Sequence, residues 1–207
     1  MITTEATPAH LNYTVTFTGL KFDFRNPTCR MVDIRDIAHA LARQCRYNGH
    51  TRDLFTTAEH CVRSSWEAPP QLKFDMLMHD AAETWIGDFI SPIKSLMLMR
   101  FDVDPDLAVQ VSDYEDRILK VVALKYGGPI LPLHPVVKEI DTRMVFTERR
   151  DQFRAQKFLW PVDIKYPSLK PFDQDLSIAW TPQQAEQMFL KTFTHLAVSP
   201  IPVASMN

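Results

Sequence analysis

This sequence has little glycine, no closely paired cysteines, no long apolar runs and only a small net charge. Only five of its 207 residues are glycine, which argues against a β protein dominated by loops and turns. Cys29, Cys45 and Cys61 are odd in number and form no Cys-x-x-Cys pair. We therefore expect reduced thiols in a cytoplasmic setting, without a disulfide framework. No signal peptide or transmembrane run is recognisable, so we expect a soluble protein that is not bound to a membrane.

The charge balance bears on the class of ligand. A formal net charge of −2 gives no electrostatic reason to expect a nucleic-acid polymer as partner, whereas a small anion needs only a local cluster of cations. The length and the 45% content of hydrophobic residues fit a single domain over 1–207. We place its core at about 19–160, followed by a C-terminal coil and helix over 161–207.

Apolar periodicity predicts an all-α fold with a small N-terminal β-hairpin. Alternating residues between Tyr13 and Phe24 indicate the hairpin. Spacings of three and four residues then predict a series of helices. The expected helices begin and end near the following positions: Met31 to Tyr47, Thr56 onward, Phe74 to Trp85, Asp104-Pro105 onward, Pro135 to Phe158, and Pro182 to Leu196. The residues at 161–181 are expected to form coil.

The helix predicted before Gly87 carries an unusual set of ionisable residues. His79 and Asp80 are adjacent, and Glu83 follows one helical turn after His79 on the same side. Asp88 comes directly after Gly87, which has the residue type favoured at a helix end. Because the helix is apolar enough to be buried, these groups need partners or a metal ion.

Two further residues can complete such a site. His60 follows Thr56 and Glu59, which form a predicted capping box, and therefore falls in the first turn of a helix. Asp141 interrupts the apolar face of a later helix, beside Ile140. Together with His79 and Asp80 these residues make a mixed nitrogen and oxygen set. Such a set suits a divalent first-row metal that keeps open positions for water.

The pattern resembles the HD-domain metal-dependent phosphohydrolases. His60, the His79-Asp80 pair and Asp141 match the H…HD…D signature in order, with HDAAE followed by GD and SPIK. The chain is similar to the HD 5′-deoxynucleotidases and to phage dATP triphosphohydrolases over about residues 19–150. The resemblance implies an HD-domain helical bundle with one protein-held zinc, cobalt or manganese ion. A second ion would arrive with the substrate, since no histidine lies between His79 and His134.

The resemblance also implies roles for residues around the metal. Asp80 is expected to act in catalysis as well as in metal binding. Glu83 would orient water or act as general base, or else accept a hydrogen bond from a ligand histidine. Asp88 would accept the sugar 3′-hydroxyl or cap the next segment. Lys94 would bind phosphate, and Pro92 would form a wall of the pocket.

Arg46 and Tyr47 are expected to reach the nucleotide. A guanidinium fourteen residues before His60 can clamp phosphate oxygens, although an arginine at a helix C-terminus is an equally good interpretation of Arg46. We expect His39 to be a core or supporting histidine and not a ligand. Glu148, seven residues after Asp141, is expected to have a surface or helix-packing role.

The expected activity is hydrolysis of a deoxynucleotide by attack of water at the α-phosphorus. The first expectation is a triphosphohydrolase that converts dATP to deoxyadenosine and triphosphate, with Arg46, Lys94 and Arg52 as candidate cations. The alternatives are a deoxynucleoside 5′-monophosphatase, a hydrolase of a guanosine alarmone and a non-catalytic nucleotide-binding scaffold. Relatives of this type form dimers or larger rings, so we expect a homo-oligomer. Its location would be the host cytoplasm if the chain is encoded by a phage.

Overall fold

The computed structural model describes residues 12–94 and 111–198. Strands β1 (Tyr13–Val15) and β2 (Lys21–Asp23) pair antiparallel as an N-terminal hairpin. The described ranges also contain eight α-helices: α1 (Ile34–Leu41), α2 (Thr57–Glu67), α3 (Lys73–Met78), α4 (Glu83–Ile86), α5 (Val111–Tyr126), α6 (Pro135–Gln152), α7 (Pro161–Lys165) and α8 (Pro182–Val198). Short 3₁₀ helices form at Cys29–Met31, Arg46–Gly49 and Pro70–Leu72. Residues 91–94 are also helical. The predicted all-α fold with a small hairpin is thus confirmed, while the helix start predicted at Asp104-Pro105 lies outside the described residues.

Helix α2 lies at the centre of the packing. It packs against α3, α6 and α8, and α8 also covers α1 and α3. The larger apolar cluster draws residues from β2, α1, α2, α3, α5 and α8, among them Phe22, Leu41, Cys61, Ile118 and Phe189. A smaller cluster joins α3 and α6 to the segment after α7 through Met76, Ile140, Met144, Phe172 and Leu176. None of the described helices is long and apolar enough to cross a bilayer.

Three predicted boundaries differ from the structure. Helix α1 begins only after Asp33, whose side chain accepts from the backbone N–H of Arg35, and it ends at Leu41, well before the predicted end near Tyr47. Helix α6 ends at Gln152 because Phe153 is extended, at φ −118° and ψ 156°. The predicted coil at 161–181 contains the short helix α7. At the C-terminal ends of α1 and α6 the apolar pattern continues past a change in backbone direction.

The continuous helix predicted through His79 and Asp80 is wrong. Helix α3 ends at Met78 and α4 begins at Glu83. Between them the backbone makes tighter i→i+3 hydrogen bonds, such as Glu83 N–H to Asp80 O at 3.0 Å. Apolar spacing over a single turn does not separate this geometry from an α-helix. Helix α4 ends at Ile86, and the next residue, Gly87, has a φ of 84°. This agrees with the helix end predicted at that glycine.

Candidate metal centre

The structure brings His60, His79 and Asp141 together from three parts of the fold. His60 lies in the first turn of α2, His79 directly follows α3, and Asp141 lies on α6. Asp141 Oδ1 is 3.3 Å from His60 Nε2 and 3.8 Å from His79 Nε2. The two histidines are buried. These three residues are grouped closely enough to bind a metal ion.

The second ring nitrogen of each histidine is already used. His60 Nδ1 is 2.6 Å from Glu148 Oε1, and His79 Nδ1 is 2.7 Å from the carbonyl oxygen of Met76. Since a carboxylate and a carbonyl only accept, each Nδ1 carries the proton and each neutral ring has a bare Nε2. The two Nε2 atoms are 3.4 Å apart. Two facing lone pairs beside carboxylates fit a cation, so the residues present suit the implied metal.

The electrostatics of this group also favour positive charge. Burial alone would lower the pKa of His79, but Asp80 and Asp141 outweigh it and hold that pKa well above its usual value. Burial and Arg46 lower the pKa of His60, yet Glu148 and Asp141 leave it raised. Burial acts to raise the pKa of Asp141, but the two histidines hold it well below its ordinary range. A metal ion would supply the charge that protons otherwise provide.

Asp80, the fourth predicted ligand, lies at the same place. Its Oδ1 is 3.2 Å from His79 Nε2, and its Oδ2 is 3.7 Å from His60 Nε2. The side chains of Asp80 and Asp141 are 19% and 42% exposed, whereas that of His60 is fully buried. The carboxylates therefore form the side of the site that is open to solvent.

Glu83 and Asp88 form a carboxylate group beside Asp80. Glu83 is buried, and its Oε2 has no hydrogen-bond partner among the described residues. Burial, reinforced by Asp80 and Asp88, raises the pKa of Glu83 well above its usual value. Burial and Asp80 also raise the pKa of Asp88, although Arg46 opposes this. Glu83 is thus a carboxyl group able to hold and release a proton.

Lys94 lies within electrostatic range of Glu83 and Asp88. Lys94 Nζ donates to Glu115 Oε1 at 2.6 Å, so the predicted phosphate-binding cation is paired with a carboxylate. Its charge still acts to lower the pKa values of Glu83 and Asp88. Pro92 is exposed within the helical residues 91–94.

Arg46 and Tyr47 point into the protein. The interpretation of Arg46 as a helix C-terminal residue is wrong, because it lies in the 3₁₀ turn Arg46–Gly49, beyond the end of α1. Arg46 Nε donates to Glu148 Oε2 at 3.2 Å, and its Nη1 is 3.6 Å from Asp80 Oδ2. The Tyr47 hydroxyl donates to Glu148 Oε2 at 2.5 Å. The 3₁₀ turn therefore contacts two carboxylates near the candidate metal position, those of Glu148 and Asp80.

The surface role predicted for Glu148 is wrong. The residue is completely buried and accepts hydrogen bonds from His60, Tyr47 and Arg46. These donors, together with the charge of Arg46, outweigh burial and lower the pKa of its carboxyl group. Its position seven residues after Asp141, two helical turns along the same face of α6, was the available signal.

His39 and Cys61 stay outside the ligand set. His39 stacks on Phe17, with ring centroids 3.7 Å apart, and its Nδ1 is 3.3 Å from Glu186 Oε1. Cys61 lies close to His79 and Asp80, but burial raises the pKa of its thiol to about 11. A protonated thiol is a poor metal ligand, and Cys61 is part of the larger apolar cluster.

Comparison with known proteins relates the chain to proteins of two bacteria. No family model matches the chain. It is 29% identical over 136 residues to the uncharacterized protein RCAP_rcc00048 of Rhodobacter capsulatus, covering 60% of this chain and 64% of that protein. It is 32% identical over 187 residues to the uncharacterized protein YfdR of Escherichia coli K12, covering 90% of this chain and 97% of YfdR. The chain therefore belongs to the same family as YfdR.

Proposed function

We propose that the protein is an HD-type metal-dependent phosphohydrolase that acts on deoxynucleotides. The observation that carries this proposal is the pair of Nε2 atoms of His60 and His79, which are 3.4 Å apart and flanked by Asp80 and Asp141. This arrangement agrees with the ligand order in the sequence that resembles the HD phosphohydrolases. The proposed ion is zinc, cobalt or manganese.

A hydrolytic role is favoured over a purely structural metal site. A structural site is closed by its ligands, whereas Asp141 is 42% exposed and leaves one side accessible. A structural site also has no use for Glu83, a buried carboxyl group whose Oε2 lacks a partner among the described residues. Such a group costs stability, and a proton-transfer role would account for it.

Each step of the proposed reaction can be assigned to a side chain. A bound divalent ion would supply an acidified water and neutralise phosphate charge. Glu83 accepts a proton from the attacking water while the oxygen of that water bonds to the α-phosphorus. The bond from phosphorus to the sugar 5′-oxygen breaks, and Glu83 returns the proton to that oxygen. Arg46 contributes its positive charge beside Asp80, where the phosphate would bind, and Asp88 accepts the 3′-hydroxyl.

The substrate has two candidates that share this chemistry. Sequence resemblance favours a deoxynucleoside triphosphate such as dATP, which would give deoxyadenosine and triphosphate. The placement of cations favours a 5′-monophosphate as the second candidate. Lys94 is paired with Glu115, and Arg52 donates to the carbonyl oxygen of Ser177, so fewer charges are available for a triphosphate within the described part of the chain.

Product analysis in labelled water tests the proposal. Purified protein is incubated with each dNTP and dNMP and with manganese, cobalt or zinc in H₂¹⁸O, and products are identified by mass. We expect deoxynucleoside without label, with ¹⁸O in the released triphosphate or phosphate. Asp80→Asn should abolish turnover, while Asp53→Asn, at an exposed aspartate, should retain it. Metal binding without turnover of any of these nucleotides would contradict the proposal.

A further inference from the structure

Glu148 is held more firmly than a packing residue needs. Its carboxylate is completely buried and receives three donors, from His60 Nδ1, the Tyr47 hydroxyl and Arg46 Nε. A buried carboxylate is stable only when its oxygens are satisfied, and here the donors are the candidate ligand His60 and two residues of the 3₁₀ turn Arg46–Gly49. Glu148 and its donors therefore form a hydrogen-bonded group that includes the imidazole of His60.

The turn that supplies two of these donors has an uncommon backbone. Tyr47 and Asn48 have φ values of 55° and 53°, in the left-handed region that side-chain-bearing residues avoid. Such conformations persist where surrounding contacts determine them, and they concentrate at functional sites. The Tyr47 ring is fixed edge-on against Phe153 and Trp160, at centroid distances of 5.1 and 6.0 Å. The strained turn thus directs the hydroxyl of Tyr47 at Glu148.

Arg46 extends the same connection to a second ligand. Its Nε contacts Glu148 Oε2, and its Nη1 is 3.6 Å from Asp80 Oδ2. One guanidinium therefore lies between the carboxylate that supports His60 and the carboxylate that faces the metal position. The turn consequently contacts two of the four candidate ligands, one directly and one through Glu148.

We propose that Glu148, held by Tyr47, is a positioning residue that fixes His60 with its Nε2 bare and so sets the metal affinity of the site. The physical basis is that a carboxylate on the outer nitrogen fixes the ring orientation and increases the donor strength of the inner one. The inference rests on the metal site of the proposed function, but it makes no use of the reaction.

Metal affinity of matched variants tests this role. Glu148→Gln keeps the shape and an acceptor oxygen but removes the charge, and we expect zinc affinity to fall about 10- to 100-fold by chelator competition. Tyr47→Phe removes one hydrogen bond to Glu148 and should weaken affinity about 2- to 10-fold. Because both act through one carboxylate, their effects should be less than additive. The absorption spectrum of bound cobalt should change in Glu148→Gln, as the field at His60 changes.

Glu59→Gln is the matched control. Like Glu148, Glu59 is a completely buried glutamate, but it lies on α2. Its carboxylate contacts Arg63 and the Trp180 backbone and no candidate ligand. It should lose stability while keeping wild-type zinc affinity. Unchanged affinity in a folded Glu148→Gln protein, or an equal loss in Glu59→Gln, would overturn the inference. If Glu148→Gln does not fold, unchanged affinity in Tyr47→Phe overturns it.

The proposed function and this inference fail separately. Zinc binding that depends on Glu148, without hydrolysis of any nucleotide, removes the function and leaves the positioning role. Hydrolysis by a protein whose metal affinity does not depend on Glu148 removes the positioning role and leaves the proposed function. A wild-type protein that binds no divalent ion contradicts both.

Discussion

His60 Nε2 and His79 Nε2 face each other at 3.4 Å, and each ring has its other nitrogen committed to an acceptor. Two bare nitrogens repel unless a proton or a metal ion lies between or beside them. The first turn of α2 and the turn after α3 are therefore held close together at an electrostatic cost that a cation would remove.

Addition of a divalent ion should stabilise the fold. At a free ion concentration of one hundred times Kd, binding adds about 2.7 kcal/mol to the free energy of unfolding. For a domain of this size that corresponds to a rise in Tm of about 5 to 10 °C. Thermal melts with EDTA and with zinc or manganese measure it. His79→Asn should lose the shift and His39→Gln should keep it; equal shifts in both would place the ion elsewhere.

Asp141→Asn should weaken metal binding at least tenfold. The change removes a charged oxygen 3.3 Å from His60 Nε2 while keeping the shape of the side chain. Glu139→Gln, at an exposed residue two positions earlier on α6, provides the control for loss of charge. Isothermal titration with zinc measures both variants. Matching affinities would exclude Asp141 as a ligand.

Glu83→Gln should lower kcat about 10²- to 10⁴-fold if Glu83 transfers the proton. Gln is nearly isosteric, and no hydrogen bond or ion pair joins Glu83 to His60 or His79 in the described part of the chain, so zinc affinity should change little. Steady-state kinetics and zinc titration on the same preparation separate the two effects. Normal kcat would assign Glu83 to a supporting role only.

Asp88→Asn should weaken recognition of the 3′-hydroxyl. A hydrogen bond to a charged acceptor contributes about 1.5–3 kcal/mol, which corresponds to a loss in kcat/KM of about 10- to 100-fold. The wild type should show a similar loss with a 2′,3′-dideoxynucleotide, and the variant should no longer distinguish the two substrates. A variant that still prefers the 3′-hydroxyl contradicts this contact.

Arg63→Met should destabilise the protein strongly. Arg63 Nε donates to Glu59 Oε1 at 2.8 Å, and both side chains are almost completely buried. Removal of one partner of a buried pair costs about 3–5 kcal/mol, since the other charge is left without compensation. The double variant Glu59→Gln/Arg63→Met should recover part of that loss. Urea denaturation gives the free energies of unfolding; additive losses would show that the two groups are not coupled.

Much of the candidate site could be predicted because its residues carry local signals. His60 follows a helix cap, since the Thr56 hydroxyl accepts from Glu59 N–H at 3.2 Å. The other half of the predicted capping box differs, because the Glu59 carboxylate accepts from Arg63 and Trp180. The face of α8 was also predictable, because residues such as Ala185 and Phe189 repeat at helical spacing and are buried.

The parts that could not be predicted depend on tertiary placement. Glu148 contacts His60 across 88 positions of sequence, and its neighbours Arg149 and Arg150 make the segment resemble a solvated helix face. The left-handed pair Tyr47 and Asn48 carries no glycine signal of its own, although Gly49 follows. These conformations are fixed by contacts with α6 and α7, which sequence periodicity does not contain.

The position of α8 has a consequence for the order in which the protein can fold. Ala185 and Phe189 belong to the same apolar cluster as Phe22, and α8 covers α1, α2 and α3. During synthesis the first three helices emerge from the ribosome long before the helix that covers them. The nascent chain must keep an apolar surface uncovered until translation has passed Phe189, and in that interval it is a candidate for chaperone binding.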